Sequence, residues 1–161
     1  GCPRFEGSLS MHRVAAAAAL LVLVATPARA EVVCEAVYKI MGAGNENPRF
    51  RSLYGEVKDF EAVGSVRIGG LQDCTVSTLS FSPIYMCSSP KPIPAEAALK
   101  IKAELDRRLT ACLGMEGELN RDSTGPVQTM WMVRLPGVNP KVSTRIRDGH
   151  VDLLVRVDPK R

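Results

Sequence analysis

Few residues in this chain have the types and spacing that chemistry requires. It carries two histidines and five cysteines in 161 residues. His12 lies in a stretch that reads as an export signal, which leaves His150, beside Asp148-Gly149, as the one histidine of the folded part. A single histidine cannot build a multi-histidine zinc site, and the cysteines lack C-x₂-C spacing, so no metal is expected. A Cys–His nucleophilic pair would need a free thiolate near His150. Glu116 and Glu118 could in principle act as paired acids, but two carboxylates in a polar loop are ordinarily solvated, and glycosidase clefts need larger scaffolds. The chain contains no phosphate-cradling or dinucleotide-binding glycine loop and no nucleophile-elbow motif. No catalytic residue and no cofactor is therefore expected, and the balance favours a binding module over an enzyme.

The cysteines point instead to a compartment. From Met11 the three parts of a secretory signal follow in order: Arg13, the apolar run Val14 to Ala25, and the small-x-small site Ala28-Arg29-Ala30. The run is only twelve residues, short of the ~20 that cross a bilayer, so cleavage after Ala30 is expected rather than anchoring. Residues 1–10 read as extraneous upstream sequence, residues 11–30 as the signal, and residues 31–161 as one mature domain. The expected location is periplasmic or extracellular, with membrane contact only through the transient signal. The mature part keeps 18 basic against 16 acidic residues, a net +2 that argues against nucleic acid as a partner. It keeps Cys34, Cys74, Cys87 and Cys112, which in an oxidising compartment read as two disulfides with three possible connectivities.

The elements that position these residues follow from periodicity. Val33, Val37, Ile40 and Met41 recur at helical spacing, which predicts a helix over 32–41 ended by Gly42. Residues 49–63 are ambiguous: Phe50, Leu53, Val57 and Phe60 make a helical stripe that Gly55 interrupts. Residues 65–79 read as a strand broken at Gly69-Gly70, with a return strand over 83–88. A turn at Ser80-Phe81 would set Cys74 opposite Cys87 on a non-hydrogen-bonded pair, where Cβ atoms come closest. Ala98, Ile101, Leu105, Leu109, Cys112 and Leu113 form the stripe of a long helix closed by Gly114, so the partner of Cys112 should lie in another core element; if Cys74 bonds Cys87, that partner is Cys34 and the bond joins the two helices. Its other face pairs Lys100–Glu104, Lys102–Asp106 and Glu104–Arg108 at i,i+4 and reads as solvated.

After an irregular stretch, Met115 to Pro126, the period becomes two. Val127, Thr129, Trp131, Val133 and Leu135 share one face of a strand; Met130 and Met132 lie on the other and are expected in the core. Residues 141–147 and 150–157 form a hairpin around Asp148-Gly149. Its register pairs Ile146 with Val151, Thr144 with Leu153, Val142 with Val155 and Arg145 with Asp152. The order predicts an α+β fold: a meandering antiparallel sheet of about five strands, two main helices on one face, and disulfide stabilisation.

Residues 127–161 carry a local +4, and Lys141, Arg145, Arg147 and Arg156 share the face opposite the apolar one. That face is the candidate binding surface, for an acidic protein or an anionic envelope component. Two alternatives remain at this level. One is a small secreted hydrolase or thiol enzyme using His150 or the Glu116/Glu118 pair, and the other is a structural envelope component that self-associates through sheet edges.

Overall fold

The computed structural model describes residues 27–78, 82–120 and 127–158, with side chains from residue 32 onward. Helix α1 (Pro27–Ala43) buries Val33, Ala36, Val37, Ile40 and Met41, the stripe that the spacing predicts. It starts upstream of residue 32 and runs one residue past Gly42.

The ambiguous stretch is not a helix. One 3-10 turn, Arg51–Leu53, leads into strand β1 (Tyr54–Lys58), which turns at Asp59-Phe60 into β2 (Glu61–Gly64). Phe50 and Leu53 reach the core, but Val57 and Phe60 stay exposed, so the apparent stripe never becomes one buried face. The expected strand over 65–79 is also divided. Residues 65–72 form a loop in which Ile68 bridges Leu71 around Gly69-Gly70, and only β3 (Asp73–Ser77) joins the sheet. Its partner β4 (Ile84–Ser88) sets Cys74 opposite Cys87, as counted; the expected turn at 80–81 lies outside the described residues.

Helix α2 (Ala95–Leu113) ends where Gly114 takes φ 63° and returns its N–H to the Thr110 carbonyl. That left-handed conformation costs glycine nothing. A short strand β5 (Glu118–Asn120) then lies within the stretch expected to be irregular. Strands β6 (Gln128–Met132), β7 (Pro140–Arg147) and β8 (His150–Val157) complete the chain, and β7 and β8 pair in the predicted register, Arg145 against Asp152 included.

Among the described residues eight strands form a single antiparallel sheet in the order β1-β2-β3-β4-β8-β7-β6-β5. The expected α+β class with two helices on one face is observed, but the sheet has eight strands rather than five. The three strands beyond expectation are short edge or near-edge segments; β1 and β5 bury almost nothing and so carry no alternating signature. The order also shows a symmetry. Each half is one helix followed by a four-stranded meander, and the last strand of each half, β4 and β8, pair at the centre.

The core lies between sheet and helices, with Trp131, Tyr85, Phe50, Leu109 and Leu153 fully buried. Disulfides join Cys34 of α1 to Cys112 of α2 and Cys74 to Cys87 across β3 and β4, with Cα separations of 5.4 and 4.0 Å. The Tyr85 hydroxyl donates to the Val66 carbonyl (2.7 Å) and accepts from the Val66 N–H (2.9 Å), pinning the loop after β2. Burial pushes the phenol upward, against the opposing effects of the bond accepted from the Val66 N–H and of Arg67. A Cβ at Gly64 would strike this hydroxyl, so the close approach requires glycine.

Candidate functional site

Period two decides what each face of the sheet presents. On β6, β7 and β8 the residues Thr129, Thr144 and Leu153 face the helices, so Met130, Ser143 and Leu154 face away. Register carries this open row onward to Met86 and Thr75. Met130 and Met132 are thus not core residues: both lie on the uncovered side, and Met132 is 45% exposed. The core seats on their strand go to Thr129 and Trp131.

The four predicted cations share this open face on adjacent strands, and each is held by a carboxylate. Asp152 is fully buried; it accepts from Arg145 Nε at 3.0 Å, Arg147 Nε at 3.4 Å and Ser88 Oγ at 2.7 Å. Asp158 accepts from Lys141 Nζ at 2.7 Å and Arg156 Nε at 2.8 Å. The Lys141 ammonium, helped by Arg156, keeps the Asp158 carboxyl below the usual carboxylate range despite partial burial. Two carboxylates against four cations leave a surplus of two positive charges within this cluster, while register places Asp73 and Glu118 elsewhere on the same face. Arg147 and Arg156 side chains are each 50% exposed, so their remaining donors reach solvent.

The residues of the alternative readings are not brought together. His150 Nδ1 lies 2.7 Å from the Ser89 carbonyl, which ties the ring to the connector before α2. Glu116 is exposed, and Glu118 is exposed on edge strand β5. All four cysteines of the folded part are in disulfides. Among the described residues no group of three His, Cys, Asp or Glu could hold a metal ion.

Two cavities lie elsewhere. A groove of about 870 Å³ between the start of α1, α2 and the 89–93 connector is lined by Val33, Leu71, Ile93, Ile101 and Leu105, with Lys91 and Lys100 at its edge. Ile101, assigned to the buried stripe of α2 on spacing, is in fact exposed here. A second cavity of about 320 Å³ is lined by Asn45, Glu46, Arg49 and Asp158. Both oxygens of Glu46 accept from Ser52, and Asp158 is ion-paired.

Sequence reasoning missed one constellation. Lys102, expected on a solvated face, is buried: its Nζ donates to Asp106 Oδ2 and Thr129 Oγ1, both at 2.7 Å. Thr129 and Thr144 hydroxyls in turn donate to Asp106. The i,i+4 spacing of Lys102 and Asp106 was visible, but not that the sheet's threonines would lie beneath it. On the truly exposed face, Lys100 pairs with Glu96 rather than Glu104, because Glu104 is taken by Arg107 and Arg108. Hydrogen bonds from those two guanidiniums hold the Glu104 carboxyl down at about 2.

Compared with protein-family models, curated proteins and solved structures, the chain matches none. Two disulfides in a domain of this size fit an oxidising, extracytoplasmic compartment. Among the described residues no helix is long and apolar enough to cross a membrane.

Proposed function

We propose that this protein is an exported, non-catalytic binding module, periplasmic or secreted, that docks an acidic protein on the open face of its sheet. One observation carries the reading: four cations on β7 and β8 are oriented by two carboxylates yet keep a surplus positive charge, beside a row containing Met130, Leu154 and Met86. Cations fixed in this way complement acidic groups without paying the full cost of ordering them on binding. Methionines next to them adapt to side chains of a protein partner, which favours a protein over a polysaccharide or lipid.

The test is differential capture from the extracytoplasmic fraction of the host. Arg147→Glu with Arg156→Glu alters the open face at two half-exposed positions, and Lys100→Glu with Arg107→Glu alters the helix face equally in charge. A protein retained by wild type and by the helix-face variant but lost from the open-face variant supports the proposal. Equal retention by all three, or retention only of lipid or polysaccharide, overturns it.

A further inference from the structure

Strand β1 ends the sheet, and no strand of the described residues lies beyond it. Val57 stands opposite Ala62, and Lys58 stands opposite Glu61 across the Asp59-Phe60 turn. In an antiparallel hairpin with a two-residue turn, the closing pair exchanges both hydrogen bonds and the next pair exchanges none. Lys58 is therefore bonded to β2, while the N–H and C=O of Val57 point outward, unpaired by the sheet. Around that residue the edge is apolar: Val57 is 57% and Phe60 60% exposed. Glu56 and Lys58 flank it on one side of the strand, 3.6 Å apart and each mostly exposed.

We infer that two copies pair antiparallel through β1 about a two-fold axis at Val57. Val57 then exchanges both backbone hydrogen bonds with Val57 of the second copy. Glu56 and Lys58 flank the axis on one side of the strand, so the two-fold brings Glu56 of each copy beside Lys58 of the other, and the ion pair formed within one strand becomes two pairs between strands. Phe60 at the turn of one copy comes to the Tyr54-Gly55 end of the other and covers apolar surface that is otherwise wet.

The arrangement is limited to two copies. Both use the same edge, so the contact is isologous and closes. The irregularity between Tyr54 and Val57 keeps the regular part of the edge short, which disfavours longer strand addition. The axis is perpendicular to the sheet, so the helices of both copies stay on one side and both open faces look the other way.

Charge exchange tests this directly. Sedimentation of the purified protein across a wide concentration range should show a monomer–dimer equilibrium. Lys58→Glu alone, or Glu56→Lys alone, sets like charges opposite in both pairs and should weaken the dimer by about tenfold or more. Mixing these two variants should restore a dimer containing one of each, because every opposed pair is again complementary. The double exchange Glu56→Lys with Lys58→Glu should dimerise like wild type. Both positions are solvent-exposed, and retained disulfides and circular dichroism will show that each variant folds. A wild type that stays monomeric overturns the inference, as does a dimer indifferent to the single variants or not rescued by mixing.

Discussion

Each face of this sheet carries one ion-pair cluster with a buried charge, a lysine on the covered side and an aspartate on the open side. Beneath α2, Asp106 is enclosed by Lys102, Thr129 and Thr144, and the Lys102 side chain is only 7% exposed. On the open side the burial is reversed: Asp152 is fully enclosed, whereas Asp106 keeps 23% of its side chain exposed, and the arginines that cover Asp152 are 24% and 50% exposed. Both disulfides and the large aromatic side chains also lie on the covered side. Stability is concentrated where water is excluded. The open face is held by groups that can turn toward solvent or toward a partner.

The largest expected effect comes from the staple between the helices. Replacing Cys34 and Cys112 by serine releases a separation of 78 residues, for which chain entropy gives about 4.5 kcal/mol. Opening Cys74–Cys87, separated by 13, should cost about 3 kcal/mol. Denaturant midpoints for the two variants check the order; a reversed order would show that strain or residual structure outweighs chain entropy.

Asp106→Ala comes next, at about 3 kcal/mol or more, because it leaves a buried ammonium without its counter-ion. The companion Lys102→Met with Asp106→Leu should be nearly neutral if apolar packing can replace the pair. Asp152→Asn should cost only about 1–2 kcal/mol, since Arg145 and Arg147 can rotate into water. Equal losses for Asp106→Ala and Asp152→Asn would erase the contrast between the faces.

The smallest effect is one of pH. Because Asp158 is held below the ordinary Asp value of 3.8, its pairs stabilise the fold above that pH. Their contribution is lost as pH falls through the depressed value in the folded protein. The pair is about one-third exposed, so solvent screening limits it to about 0.5 kcal/mol. Lys141→Met should flatten this part of the acid limb of the stability profile; an unchanged limb would show that Asp158 contributes nothing.

Much of this contrast was legible in the chain, though unevenly. The β7–β8 hairpin could be counted residue by residue, because Asp148-Gly149 sets the turn and period two then assigns every side chain. The four open-face cations followed from the same count. The two methionines on β6 were assigned to the right face but the wrong environment, because alternation says which residues share a face and not whether anything covers it. Lys102 was misplaced for a related reason: a lysine–aspartate pair on a helix is ordinarily wet, and only the threonines of β6 and β7 make this one a buried network.

The sequence by itself determined the buried stripe of the first helix, the end of the second and the register of the long hairpin, because each rests on spacing within one element or on the return of one turn; it offered three cysteine connectivities, of which the structure shows the one expected. The tertiary structure alone decided that β4 and β8 join the two meanders into one eight-stranded sheet. Those strands lie more than sixty residues apart, and each already has a neighbour along the chain. Nothing in their alternation names the partner on the far side. That pairing joins the two helix-capped halves and makes their open faces continuous.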